Sequence, residues 1–218
     1  MNNNKILIIG AKGNMGRRYS SICKYLQIPF DGVDICDTYI PDQYSHCIIA
    51  TPTNSHLDLI QKINDFHSRP NISILCEKPI ALNNDDVHII NLLWKTLTVY
   101  MVNQYAYYPY LSTAEELNTT YDFYNSGNDP IAYNCIQLVH LAKGPVLLKS
   151  ESPIWRCVIN GKTLDRGRID RCYVDMVHDF FFDSYGKLWG REDILEAHRK
   201  AYLYDQGHHR NSSPQQLD

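Results

Sequence analysis

The chain of 218 residues is long enough for one large domain or two small ones, and its 44% hydrophobic and 21% charged content is ordinary for a soluble globular protein. A formal net charge of −3 leaves no bulk charge to recruit nucleic acid, and the longest apolar runs are too short for a membrane span. Seven cysteines, an odd number without a C-x-x-C pair, predict buried free thiols in a reducing, cytoplasmic setting.

Met1 to Lys5 carries no signal-peptide pattern and leads straight into Lys5-Ile6-Leu7-Ile8-Ile9, an apolar strand. The strand runs into Gly10-Ala11-Lys12-Gly13-Asn14-Met15-Gly16 and then a helical stretch from Arg17 to Leu26. Strand, glycine turn and helix is the layout that lets a backbone approach a pyrophosphate, with a helix N-terminus to attract the anion. Gly10, Lys12, Gly13, Asn14, Met15 and Gly16 are therefore candidate dinucleotide contacts. The spacing G-x-x-G-x-x-G is one residue longer than the common G-x-G-x-x-G. A second strand is expected over Phe30 to Asp37. Asp34 lies 24 residues after Gly10, near the roughly 20-residue spacing of an acid that binds a ribose 2′-hydroxyl, with Asp37 as its competitor. An acid there favours NAD, because a carboxylate repels the 2′-phosphate of NADP.

Between Asp37 and the next strand there is no room for the helix, strand and helix of a standard mononucleotide-binding half, so an edge strand is expected to be missing. His46 to Ala50 reads as a central strand ending in Thr51-Pro52-Thr53-Asn54-Ser55-His56, followed by a helix from Leu57 to Phe66. Ile74-Leu75-Cys76-Glu77-Lys78-Pro79 is a buried strand that Pro79 stops, leaving Glu77 and Lys78 at the carboxyl end of a sheet, where ligands bind in open α/β folds. A helix over 85–97 and a strand over Val99 to Asn103 complete an alternating pattern that implies a parallel sheet covered by helices.

Gly10–Gly16, Thr51-Pro52-Thr53-Asn54-Ser55-His56 and Cys76-Glu77-Lys78-Pro79-Ile80-Ala81-Leu82 stand in order at strand ends. Together they resemble the Gfo/Idh/MocA family, the glucose–fructose oxidoreductase and inositol dehydrogenase group, over residues 5–110. The resemblance implies a Rossmann-type dinucleotide-binding domain, here residues 1–104. It also implies a smaller α+β domain with a mainly antiparallel sheet, here residues 105–218. It further implies NAD or NADP as cofactor and a small sugar, polyol or sugar derivative as substrate. Glu77 would contact the nicotinamide ribose, and Lys78 would act on the substrate as a catalytic or polarising group. Thr51, Pro52, Asn54 and His56 would border the cofactor, and Asn103 would lie near the nicotinamide. Gly10 to Arg17 is also locally similar to reductases of the dihydrodipicolinate type, against which Glu77-Lys78-Pro79 counts.

The character changes at Tyr105-Ala106-Tyr107-Tyr108-Pro109-Tyr110, whose aromatic rings suit either a sugar cleft or a domain junction. A strand over Thr120 to Tyr124 and a turn lead to a helix over Ile131 to Lys143, in which Tyr133, Gln137 and His140 fall at i, i+4 and i+7 on one face. This segment resembles the family's active-site helix, where an Asp and a His stand four residues apart. Tyr133 and Gln137 hold those positions here, and His140 is the candidate replacement for proton transfer. Short strands over 146–149, 155–159 and 161–164, a helix over 173–181 and a last helix over 191–204 follow, with a disordered tail from Gly207. The open second sheet invites a homo-oligomer. No metal-ligand spacing or nucleophile signature is present. The alternative to a catalyst is a divergent family member that binds dinucleotide or a partner without turnover.

Overall fold

In the computed structural model, residues 4–66, 72–82, 86, 89, 96–109, 119–123, 131–141, 146–149, 157–159, 162–184 and 186–211 are described. Five parallel strands, β1 (Ile6–Ile9), β2 (Phe30–Val33), β3 (His46–Ile49), β4 (Ser73–Cys76) and β5 (Thr98–Met101), lie in the order β2-β1-β3-β4-β5. Every residue of β1 is buried, as are the last three of β3 and of β4. Parallel strands covered on both faces need this continuous apolar run, and each buried Ile or Leu contributes roughly 1.5–3 kcal/mol. Residues 34–45 hold a 3₁₀ turn, Pro41–Gln43, and no further strand, so β2 is one edge of the sheet. Lys5 and Asp31, 2.5 Å apart, put a charge pair on that edge. The other edge is covered where the Met101 N–H donates to the Trp189 carbonyl at 3.1 Å.

Helix α1 (Asn14–Tyr25) buries Gly16, Tyr19, Ile22 and Cys23, and α2 (His56–Phe66) buries Leu59, Ile60 and Ile63. Both spacings bring one helical face onto the sheet. The helix expected over 85–97 lies mostly outside the described residues, although Asp86 and Ile89 are helical.

A second sheet has the order β7-β6-β8-β9, built from β6 (Thr119–Phe123), β7 (Val146–Lys149), β8 (Cys157–Ile159) and β9 (Lys162–Thr163). It is mixed: β6 pairs with β7 in parallel, while β8 runs antiparallel to both β6 and β9. The single helix expected over 131–143 is corrected by the structure. It is two short helices, α3 (Ile131–Asn134) and α4 (Ile136–Leu141), broken at Cys135. Asn and Cys are both weak helix formers, and the Cys135 carbonyl accepts from Leu138 and Val139 N–H to restart the next turn. The helix expected over 173–181 begins earlier, as α5 (Arg166–Phe182), because Asp165 caps it by accepting from Arg168 N–H at 2.7 Å. The last helix, α6 (Arg191–Asn211), continues through Gly207, where a disordered tail is expected; residues 212–216 of that stretch lie outside the described residues.

At Gly16 a Cβ would sit 2.1 Å from the Gly10 carbonyl oxygen and 2.6 Å from the Ala11 Cα, so the glycine turn and α1 pack backbone against backbone. Gly16→Ala is expected to lower stability by about 1–3 kcal/mol, because neither contact can rotate away. Denaturant unfolding of the two proteins measures it, and an unchanged midpoint would contradict the contact.

Candidate functional site

The glycine turn stands at the carboxyl end of β1. Gly10 adopts φ +85°, and a Cβ there would meet the Ala50 carbonyl oxygen at 2.7 Å. The turn is therefore pressed against the end of β3 by its backbone. Lys12, Gly13 and Asn14 are exposed, Met15 is half-buried, and Gly13 precedes the first turn of α1, which has no side-chain cap. Arg17 closes the loop by donating to the Lys12 carbonyl and, at 2.6 Å, to the Asn14 side chain. A side chain at Gly10 would push the turn off the end of β3, and one at Gly16 would push α1 off the turn.

The two acids after β2 have separate uses. The Asp37 carboxylate accepts from the Asp34 backbone N–H at 2.6 Å and so builds the turn. Asp34 stands at the strand end, half-buried, with an oxygen 3.7 Å from Lys12 Nζ. Its carboxylate is the one that flanks the glycine turn.

Glu77 is 7% exposed and its carboxylate is held on both oxygens. The Tyr19 hydroxyl donates to Oε1 at 2.6 Å, and the Lys78 backbone N–H donates to Oε2 at 3.2 Å. Burial, and then the charge of Glu77, push the Tyr19 hydroxyl well above its ordinary range, so it keeps its proton and remains a donor. Tyr19 lies three residues beyond Gly16 on the same buried face of α1. That spacing was the available signal for it in the sequence. Lys78 is half-buried beside Glu77, and the Lys78–Pro79 peptide is cis.

Two histidines hold the chain beyond Lys78. His56, 1% exposed, has Nδ1 2.8 Å from the Pro79 carbonyl and Nε2 2.9 Å from the Thr51 carbonyl. The ring thus lies between the two loops, and the nitrogen that carries the proton donates to its carbonyl, whereas Asn54 and Pro52 are exposed. Thr51 Oγ1 accepts from Ser55 at 2.8 Å. His198 of α6 accepts the Ala81 N–H on Nε2 at 3.3 Å, and its Nδ1 lies 2.8 Å from the Ile194 carbonyl. Burial pushes this imidazole down to about 4.

Asn103 leaves β5 next to the point where Glu77 leaves β4, because the Val102 N–H continues the ladder to the Cys76 carbonyl at 2.9 Å. Asn103 is 2% exposed, and neither its amide nitrogen nor its oxygen has a partner. Gln137 donates to the Val102 carbonyl at 2.6 Å and to Gln104 Oε1 at 2.9 Å. The single helix expected to carry Tyr133, Gln137 and His140 is broken at Cys135, with Tyr133 on α3 and the other two on α4. Tyr133 is buried with its ring 6.3 Å from that of His198. His140 turns to α6: Nε2 is 3.6 Å from Asp193, the ring meets Trp189 edge-on at 4.4 Å, and its carbonyl accepts from Lys200. Burial, reinforced by the charge of Lys200, lowers its pKa. Tyr105, Tyr107 and Tyr108 are buried at the junction with α5, where the Tyr107 hydroxyl donates to Asp179 and the Tyr108 hydroxyl accepts from Asp165 N–H at 3.3 Å. Tyr110 lies outside the described residues.

Among the described residues, no group of three or more His, Cys, Asp or Glu is placed to hold a metal ion, and no helix is long and apolar enough to cross a membrane. Neither a protein-family model nor a curated protein sequence matches the chain. Solved structures do match its fold. One is the WlbA (WbpB) dehydrogenase from Thermus thermophilus in complex with NAD and UDP-GlcNAcA, with a TM-score of 0.66 and 14% identity over 92% of this chain and 94% of that one. A myo-inositol dehydrogenase from Corynebacterium glutamicum gives 0.67 and 14% identity over 91% and 94%. A Gfo/Idh/MocA family oxidoreductase from Vibrio cholerae gives 0.67 and 11% identity over 95% and 98%.

The lowered pKa of His198 sets a pH dependence. The folded protein refuses the proton down to about pH 4, while an unfolded histidine takes it up near 6.5. The contribution is complete above pH 6.5 and is lost as the pH falls towards 4, by about 3 kcal/mol in all. His46, also lowered to about 4 by burial, adds a similar share. Unfolding free energies between pH 4 and 7 are expected to rise less steeply in His198→Gln than in the wild type; equal slopes would remove His198 from the titration.

Proposed function

Since this chain has the fold of the Gfo/Idh/MocA-type dehydrogenases, we propose that it is an NAD(P)-dependent oxidoreductase acting on a hydroxyl or carbonyl of a sugar, polyol or sugar derivative. The observation that carries the proposal is the convergence at one sheet edge of a glycine cradle, a doubly hydrogen-bonded Glu77, Lys78 and a buried, unpartnered Asn103 amide. A buried amide without partners is costly unless a ligand supplies them, and the cradle admits a pyrophosphate because its glycines leave the backbone uncovered.

In this reading Gly10, Lys12, Gly13, Asn14, Met15, Gly16 and the α1 N-terminus hold the pyrophosphate, Asp34 takes the adenosine ribose, and Glu77 takes the nicotinamide ribose. Thr51, Pro52 and Asn54 border the cofactor, and His56 acts behind them by fixing the two loops. The bound nicotinamide supplies hydride transfer. Lys78 Nζ orients the substrate oxygen and exchanges its proton: the amine form accepts the hydroxyl proton in oxidation, and the ammonium form returns it in reduction. The Asp34 carboxylate favours NAD over NADP by repelling a 2′-phosphate. Residues 1–104 act as the dinucleotide domain, and residues 105–218 close the substrate side and associate as a homo-oligomer through the second sheet.

A second reading, dinucleotide binding without turnover, draws on Gln137 and Tyr133, which stand where the resembling family has its Asp and His. Gln137 is committed to Val102 and Gln104, and Tyr133 is buried. Binding and turnover separate the two. Calorimetric titration is expected to give binding of both NADH and NADPH, with NADH tighter and the gap narrowed in Asp34→Ala. No binding of either at millimolar concentration would end the oxidoreductase reading. The structural neighbours include a UDP-N-acetylglucosamine 3-dehydrogenase and the inositol dehydrogenase, so UDP-sugars and polyols are the first substrates to screen. On any substrate turned over, Lys78→Ala is expected to lower kcat about a hundredfold or more, with dinucleotide affinity kept. Equal rates would take Lys78 out of the mechanism, and binding without turnover of any substrate would favour the second reading.

A further inference from the structure

Asn103 occupies the N-cap of the 3₁₀ turn Gln104–Tyr107, yet its side chain makes no capping hydrogen bond. An Asn in this position ordinarily accepts from an N–H of the following turn. Here the backbone does that work, through the Asn103 carbonyl, which accepts from Ala106 N–H at 3.2 Å. The amide is left with a free donor and a free acceptor while 2% exposed. Such a group is expensive to bury, and its natural complement is another primary amide, which offers one acceptor and one donor in the same plane whichever way the Asn is turned.

The residues on either side of Asn103 are both held by one side chain. The two N–H bonds of the Gln137 amide go to the Val102 carbonyl at 2.6 Å and to the Gln104 side chain at 2.9 Å. Gln137 is itself 2% exposed, on α4, and all its donor capacity is used. It spans the segment from which Asn103 projects and fixes it from behind.

We infer that Gln137 is a positioning residue, a clamp on residues 102 and 104 that holds the Asn103 amide to read the carboxamide of a nicotinamide ring. The inference rests on the dinucleotide reading above and gives Gln137 a role that needs no contact with substrate. Its consequence is selectivity for the ring substituent. An acetyl group in place of the carboxamide keeps the acceptor and loses the donor, so one Asn103 atom stays buried and unpaired.

The test is equilibrium binding of three ligands: ADP-ribose, which lacks the ring, NADH, and the reduced acetylpyridine analogue of NADH. The wild type is expected to bind NADH about tenfold or more tightly than the analogue. In Gln137→Met the ratio is expected to fall towards one, with ADP-ribose affinity unchanged, and in Asn103→Ala to reach one. A general loss of stability would weaken all three ligands together and leave the ratio in place. If ADP-ribose binds to the wild type and the ratio is already near one, Asn103 does not read the carboxamide and the inference fails. A ratio kept in Gln137→Met overturns the clamp. Should Gln137→Met not fold, Gln104→Met, which removes half of the clamp, decides it: a reduced ratio supports the inference and an unchanged one overturns it. Failure of the wild type to bind ADP-ribose falls instead on the dinucleotide reading.

Discussion

A carboxylate out of water organises this molecule. Glu77 is almost wholly buried at the end of β4, and a charge in that position is tolerated only when its oxygens are matched by donors. One donor is its neighbour's backbone, and the other is a tyrosine whose own burial keeps it protonated. Tyr19 rides on the helix that begins in the glycine turn, so a single short hydrogen bond ties that turn to the acid at the sheet edge. The glycine turn and the acid at the sheet edge are therefore set relative to each other by the core. Loops alone do not hold them.

The same logic extends along the strand's exit. The backbone of Pro79 and Ala81 is held by His56 on one side and His198 on the other, from elements far apart in sequence. Both are enclosed by backbone: His56 lies between two carbonyls, and His198 accepts from an N–H and faces a carbonyl. They illustrate how often a histidine near a site is scaffolding. His140, the candidate for proton transfer, packs among Trp189, Asp193 and Lys200, and its Nδ1 is buried without a partner.

Much of the first half was legible because local rules and tertiary demands agree there. Apolar runs four residues long, glycines at a turn, and a strand stopped by Pro79 give the same elements in sequence and structure. The short connection after Asp37 foretold the exposed edge at β2. The second half was less legible where helical periodicity was extended across a weak point. Tyr133, Gln137 and His140 share a spacing, but the break at Cys135 puts Tyr133 on a different helix from the other two. The start of α5 was missed because its signal is a cap, Asp165, and not an apolar stripe. Tyr19 and His198 were missed for a different reason: each lies on an ordinary buried helix face, and only a distant partner gives it meaning.

The partner of α1 is the last consequence. Its outer side is closed by α5, through Arg18 to Asp170 across 152 residues of sequence and through the edge-on rings of Tyr19 and Tyr173. During synthesis the sheet and glycine turn emerge long before α5 exists. Without α5, Tyr19 lacks the cover of the Tyr173 ring, and its hydrogen bond to Glu77 is less shielded from water. The acid at the sheet edge thus depends for its full shielding on a contact that closes across 152 residues of sequence.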